Sequence, residues 1–178
     1  TAAATLDDAA RRQDRGAFFK SIHGTLCHLL WADRMWLSRF AGTPKPTHRI
    51  HESADLVADW ADLVAQRQAF DVTILEWARG LSPEWLADDM VWFSGATQRE
   101  MLKPRALLVV HLFNHQTHHR GQIHAMLTAA GAIRVAQTLS AGGAATAAAG
   151  GVLEIDRLEA GTTATLTAAG AATLGEGT

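Results

Sequence analysis

The chain has 178 residues, a formal charge of −2 at pH 7 and a mean hydropathy of +0.00. That length suits one domain with a sizeable core, and the near-neutral charge gives no basic footprint for nucleic acid. No apolar run approaches the roughly 20 residues needed to span a bilayer, and the start at Thr1–Thr5 lacks the basic and apolar regions of a signal peptide. A single cysteine, Cys27, precludes an intramolecular disulfide and is compatible with a reducing compartment. These absences lead to the expectation of a cytoplasmic protein without a membrane partner.

A compositional boundary falls near Gly131. All six Trp, all six Phe and all nine His precede it, whereas 31 of the 48 residues from Gly131 onward are Ala, Gly or Thr. So little bulk places the core before the boundary. The expected organisation is a helical domain over 1–131 and a low-complexity tail over 132–178.

In chain order, residues 6–12 have the makings of a turn or two of helix. Phe18 to Phe40 reads as a long helix, with Ile22, Leu26, Leu29, Trp36 and Phe40 near helical spacing and His28, Trp31 and Met35 on an adjoining stripe. Gly42, Pro44 and Pro46 end it. Ala54 to Arg79 reads as a second helix, capped at Ser53 and carrying Leu56, Trp60, Leu63, Phe70, Ile74 and Trp77 on one side. Gly80 closes it, and Ser82-Pro83 has the form of an N-cap followed by N1. Val91-Trp92-Phe93, followed by Ser94-Gly95, suggests an extended crossing segment or a small hairpin. Pro104 to Ala130 reads as the third long helix, with Gly131 as its C′ residue and Gly121 admitting close approach of a helix or ligand. Beyond it, Val152–Asp156 and the stretch 162–166 alternate like strands, and Ala144–Ala149 has helical composition.

The third helix carries the chemistry. His111, His115, His118 and His119 fall within nine residues. At 3.6 residues per turn, His111, His115 and His119 share a face flanked by Leu108, Leu112, Ile123 and Met126, so that face is expected to turn inward. Burying an unpaired imidazole costs roughly 1–3 kcal/mol, so several on one inward face suggest a metal. His115 and His119 are about 6 Å apart along the axis and can converge on one ion; His111 and His119, at about 12 Å, cannot share a mononuclear site. A helical pair needs a third ligand from elsewhere. His28 is central in the first helix, His23 lies about 140° round from it, and His48 and His51 fall in a Pro- and Thr-rich loop. Taken alone, His28 is more readily a hydrogen-bonded core histidine than a ligand, and Cys27 a small core residue.

The run Asn114-His115-Gln116-Thr117-His118-His119-Arg120-Gly121-Gln122 closely resembles the Asn-His-x-x-His-His-Arg-Gly-Gln signature of the DinB/YfiT-like family. The segment from Gly16 to Leu37 resembles the family's other motif, in which a histidine precedes an Ala-Asp and an aromatic-Leu; here these are His28, Ala32-Asp33 and Trp36-Leu37. The resemblance runs from about Asp14 to Gly131. It implies an all-α, four-helix bundle with a long crossover, binding one divalent metal through His28, His115 and His119. It makes His111, His118, Arg120 and Gln122 supporting or packing residues. The family's usual first helix has no counterpart in Thr1 to Gly16, so that helix is expected to be shortened or missing.

The resemblance further implies a metal-dependent enzyme of the thiol-dependent transferase or isomerase type, with a low-molecular-weight thiol as cosubstrate, and a homodimer. The alternative is a non-catalytic metal-binding or stress-response protein. Imidazole ligands suit several metals, of which zinc or nickel is expected. The sequence assigns no catalytic residue.

Overall fold

A computed structural model describes residues 2–95 and 97–130 with their side chains, and the backbone of five strands between 132 and 174. By internal contacts the chain divides into two compact units, Arg11–Gln122 and Thr1–Ala10 with Ile123–Thr178.

The first of these is mostly helical. A short helix α1 (Asp8–Arg12) runs across its first residue; it then contains α2 (Ile22–Phe40), α3 (Trp60–Arg79), a single turn α4 (Pro83–Ala87), a hairpin of β1 (Asp89–Ser94) and β2 (Arg99–Pro104), and α5 (Arg105–Ala129) as far as Gln122. Among the described residues, three helices exceed two turns: α2, α3 and α5. None is long and apolar enough to cross a membrane.

Helix α2 starts at Ile22, not Phe18, because Ser21 is its cap: the Ser21 Oγ accepts from the Gly24 N–H at 3.0 Å. Phe18 and Phe19 lie in the preceding turn, where Lys20 adopts a φ of 63°. Helix α3 starts six residues later than the expected Ala54. Ile50–Asp55 is a 3-10 turn instead, and Asp59 caps α3 by accepting from the Asp62 N–H at 2.8 Å. The intervening backbone has other partners. The Val57 carbonyl accepts from His23 Nε2 at 2.8 Å and from the Cys27 thiol at 3.5 Å, which pins this segment to α2. His23 is thus a buried, hydrogen-bonded core histidine, and Cys27 a buried small one.

The turn at Ser82-Pro83 forms as its sequence suggests, with the Ser82 Oγ accepting from the Trp85 N–H. The segment after it is the hairpin, paired antiparallel from Asp89↔Pro104 to Ser94↔Arg99. Pro104 therefore ends a strand and α5 begins one residue later. The expected C′ role of Gly131 lies outside the described residues.

Among the described residues, two clusters of the core join the long helices. Leu37 and Phe40 of α2, Ile74 of α3, Met90 of β1, and Leu108 and Leu112 of α5 form one; Cys27, Leu30, Val57 and Leu63 form the other. Each fully buried Leu contributes roughly 1.5–3 kcal/mol relative to exposure. Leu37, Leu30 and Leu112, all at 0% exposure, are the residues that fix α2 against its neighbours.

In the second unit, the backbone after α5 forms β3 (Ala132–Ala141), β4 (Ala145–Ala149), β5 (Val152–Ala160), β6 (Ala164–Ala168) and β7 (Ala172–Leu174). Pairing is parallel between alternate strands: β3 with β5, β5 with β7, and β4 with β6. The helical composition of Ala145–Ala149 is overridden, since that stretch is a strand paired with Ala164–Ala168.

Candidate metal centre

The middle of α2 presents His28 to two successive turns of α5, which present His115 and His119. One nitrogen from each ring lies within 4.8 Å of the others, so the three could together hold a metal ion. His28 Nε2 is 3.3 Å from His115 Nε2, which is 3.1 Å from His119 Nε2.

The far side of two rings is held by hydrogen bonds. Ser53 Oγ donates its proton to the Ile50 carbonyl at 2.6 Å, so toward His28 Nδ1, at 2.9 Å, it can only accept. His28 therefore carries its proton on Nδ1 and turns the Nε2 lone pair inward. His119 Nδ1 likewise donates to Gln122 Oε1 at 2.7 Å, leaving its Nε2 lone pair facing the same point. Such partners fix the tautomer and raise ligand basicity in metal sites. His115 Nδ1 is buried without a hydrogen-bond partner.

Protonation of the cluster is disfavoured. Burial, then the neighbouring His119 and His115, push His28 down to about 3. Burial and the adjacent histidines push His115 down to about 4. Burial also lowers His119, against its hydrogen bond to Gln122 Oε1, which raises it; His118 adds to the lowering. His28 and His119 thus turn lone pairs of neutral imidazoles toward His115 Nε2, and three neutral imidazoles form a donor set that suits a divalent metal.

Two further features hold the rings in place. Phe19 stacks on His28 with centroids 3.8 Å apart and planes inclined by 18°, and stands 5.5 Å from the His119 ring. About a turn away, buried Asp33 of α2 accepts from Gln116 Nε2 of α5 at 3.0 Å and from Arg67 Nη1 of α3 at 2.6 Å. Arg67 also pairs with Asp71 at 2.6 Å. This chain ties the three long helices together beside the histidines.

A cavity of about 1270 Å³ opens on His28 and His115, with Trp31, Trp36 and Trp92 among its walls. His111 also lines it but is exposed, with its ring 5.3 Å from Trp36, so the inward face of α5 does not extend to His111. His118 is exposed and meets the His119 ring edge to face. Arg120 is exposed and donates to Gln116 Oε1 at 3.4 Å within its own helix, a packing role. Sequence reasoning did not assign Ser53, Phe19 or Gln116 to the site. Only Ser53 had been singled out, as the cap of a helix that starts elsewhere.

The structure is thus a helical unit carrying a three-histidine centre beside an open cavity. The model of the DinB family matches residues 1–144, and the chain belongs to that family. Comparison with curated proteins and with solved structures found no match.

Proposed function

We propose that His28, His115 and His119 bind one divalent metal ion, zinc or nickel, and that the protein is a metal-dependent enzyme of the thiol-dependent transferase or isomerase type. The observation carrying this reading is the convergence of one ring nitrogen from each of three histidines within 4.8 Å at the wall of a cavity. Three ligands leave a coordination position free, as in catalytic rather than closed structural sites. A metal so held supplies Lewis acidity and lowers the pKa of a bound water or thiol.

The chain's own residues then have defined tasks. Ser53 and Gln122 keep protons on the outer nitrogens of His28 and His119. Phe19 covers one face of His28 and limits water there. The cavity beside His28 and His115 admits the reactants. Sequestration is disfavoured because, among the described residues, no fourth ligand completes the group.

The family resemblance adds a four-helix bundle and a homodimer to the proposal. Exposed Leu107, Val110 and Phe113 on α5 supply an apolar stripe on which a further helix or a second copy can pack.

The test is elemental analysis of protein purified without an immobilised-metal column. One equivalent of metal is expected in the wild type and none in His115→Ala. Metal-free wild type that takes up no zinc or nickel on titration would overturn the proposal. A screen of small thiols against electrophiles, with the loaded protein, separates enzyme from binding protein.

A further inference from the structure

The cavity beside the histidines carries a cation that the metal centre does not use. Arg39, in the last turn of α2, is half-buried. Its guanidinium carbon sits 4.6 Å from the Trp36 ring centroid and 5.7 Å from that of Trp92. The two indoles meet edge to face, with centroids 5.9 Å apart. Arg39 has no carboxylate partner among the described residues; burial lowers its pKa, and its guanidinium stays charged.

The rest of the lining has the same sign. Lys45 and Arg49 contribute positive charge, and among the described residues no Asp or Glu lines the cavity. Glu52, the carboxylate nearest in sequence, accepts from the Arg49 backbone N–H at 2.7 Å and lies 3.9 Å from His51 Nε2, so it offsets charge at the Arg49 end of the cavity and leaves Arg39 as a cation without a counter-charge among the described residues. A guanidinium stacked on indoles keeps its edge N–H groups free, and that planar fork matches a carboxylate in a bidentate fashion. The walls offer flat apolar surface: Trp31, Trp36, Trp92 and Phe93 all face this space.

The geometry points to a small organic carboxylate with a flat, apolar body as the substrate class of this cavity, its anionic group held by Arg39 and its body stacked on the tryptophans. The assignment rests on the reading of the histidine centre as a site that acts on a small molecule, and it adds which molecule the neighbouring space selects. Arg39 is a substrate-binding residue in this scheme. It holds the end of the molecule remote from the metal, so its contribution is to affinity and selection.

The full chain, metal-free and zinc-loaded, would be titrated with 2-naphthoate, with the isosteric 2-naphthamide and with 2-naphthylmethylamine, followed by tryptophan fluorescence and calorimetry. Naphthoate is expected to bind roughly tenfold or more tighter than the amide, the usual yield of a charge-assisted bidentate contact, and the amine weakest. The preference should persist in metal-free protein and should vanish in Arg39→Gln. Equal binding of acid and amide by the wild type overturns the proposal without recourse to any variant, as does failure of naphthoate to bind saturably. A preference that survives Arg39→Gln but disappears on metal removal also overturns it, by placing the carboxylate on the metal. Failure of the metal reading shows separately, as absence of zinc uptake with the acid–amide preference intact.

Discussion

Ser53 and His28 are joined by a hydrogen bond of 2.9 Å whose direction is fixed by a third group, because the serine's own proton is committed to the Ile50 carbonyl. That single relationship sets the tautomer of one proposed ligand from a turn 25 residues further along the chain. Ser53→Ala removes the acceptor and leaves His28 Nδ1 buried and unpaired. Zinc affinity, measured by competition with a chromophoric chelator, is expected to fall about 10–100-fold, the usual effect of losing an outer partner of a metal-bound histidine. Affinity within a factor of two of wild type would show that Ser53 does not position the ring.

Asp33 gives a pH dependence of unusual sign. Burial raises its carboxyl above the ordinary carboxylate range, against the opposing influence of the Arg67 guanidinium and the Gln116 amide; Asp71 adds to the rise. A folded-state pKa above the unfolded value means that the native state takes up the proton first. The stabilisation from protonation is fully present below the unfolded pKa, about 3.9, and is lost as pH rises through the raised folded value. Asparagine cannot titrate, so the comparison with Asp33→Asn isolates this group from the carboxylates common to both proteins. On going from pH 7 to pH 4, the difference in unfolding free energy is expected to move in favour of wild type. Denaturant titrations at the two pH values measure it. A shift in favour of the variant would mean that the ion pair with Arg67, at 2.6 Å, outweighs burial.

Much of the centre was legible from spacing because a helix converts sequence distance into angle. His115 and His119, four apart, had to share a face. His28 was different: helix geometry placed it on an apolar stripe but did not say which stripe faces α5, and only the family motif singled it out. The supporting residues were illegible for a physical reason. Ser53 touches His28 because the Val57 carbonyl is held by His23 and Cys27, so the backbone of 50–55 forms a 3-10 turn instead of continuing as α3. Nothing in the local pattern at Ser53 reports that tertiary competition, and serine before an apolar helical run is ordinarily a cap. Phe19 escaped for a related reason: apolar spacing extends the predicted helix back through it, whereas the Ser21 cap starts the helix only after it. The Ala-rich stretch at 145–149 shows propensity giving way to pairing with β6.

Gly24 and Gly121 make opposite predictions from the same substitution. Both are helical, where exchanging glycine for alanine ordinarily gains up to about 1 kcal/mol. At Gly121, a Cβ meets nothing within 4 Å. The close approach expected there from sequence is therefore not made by the described residues, and Gly121→Ala should realise the gain. At Gly24, a Cβ would stand 2.6 Å from the Phe19 carbonyl oxygen and 3.3 Å from Ser21 Oγ. That oxygen is held by the Ser21 N–H at 2.7 Å, and the Phe19 ring is stacked on His28, so the obstacle is backbone in a constrained turn. Overpacking of this kind costs typically about 1–3 kcal/mol, which exceeds the propensity gain. Gly24→Ala should therefore lower the denaturation midpoint and also weaken zinc binding, as Phe19 is pushed off the His28 ring. Gly121→Ala should raise the midpoint and leave zinc binding as in wild type. A stabilised Gly24→Ala protein with unchanged metal affinity would show that the Phe19 turn yields freely and plays no part in holding His28.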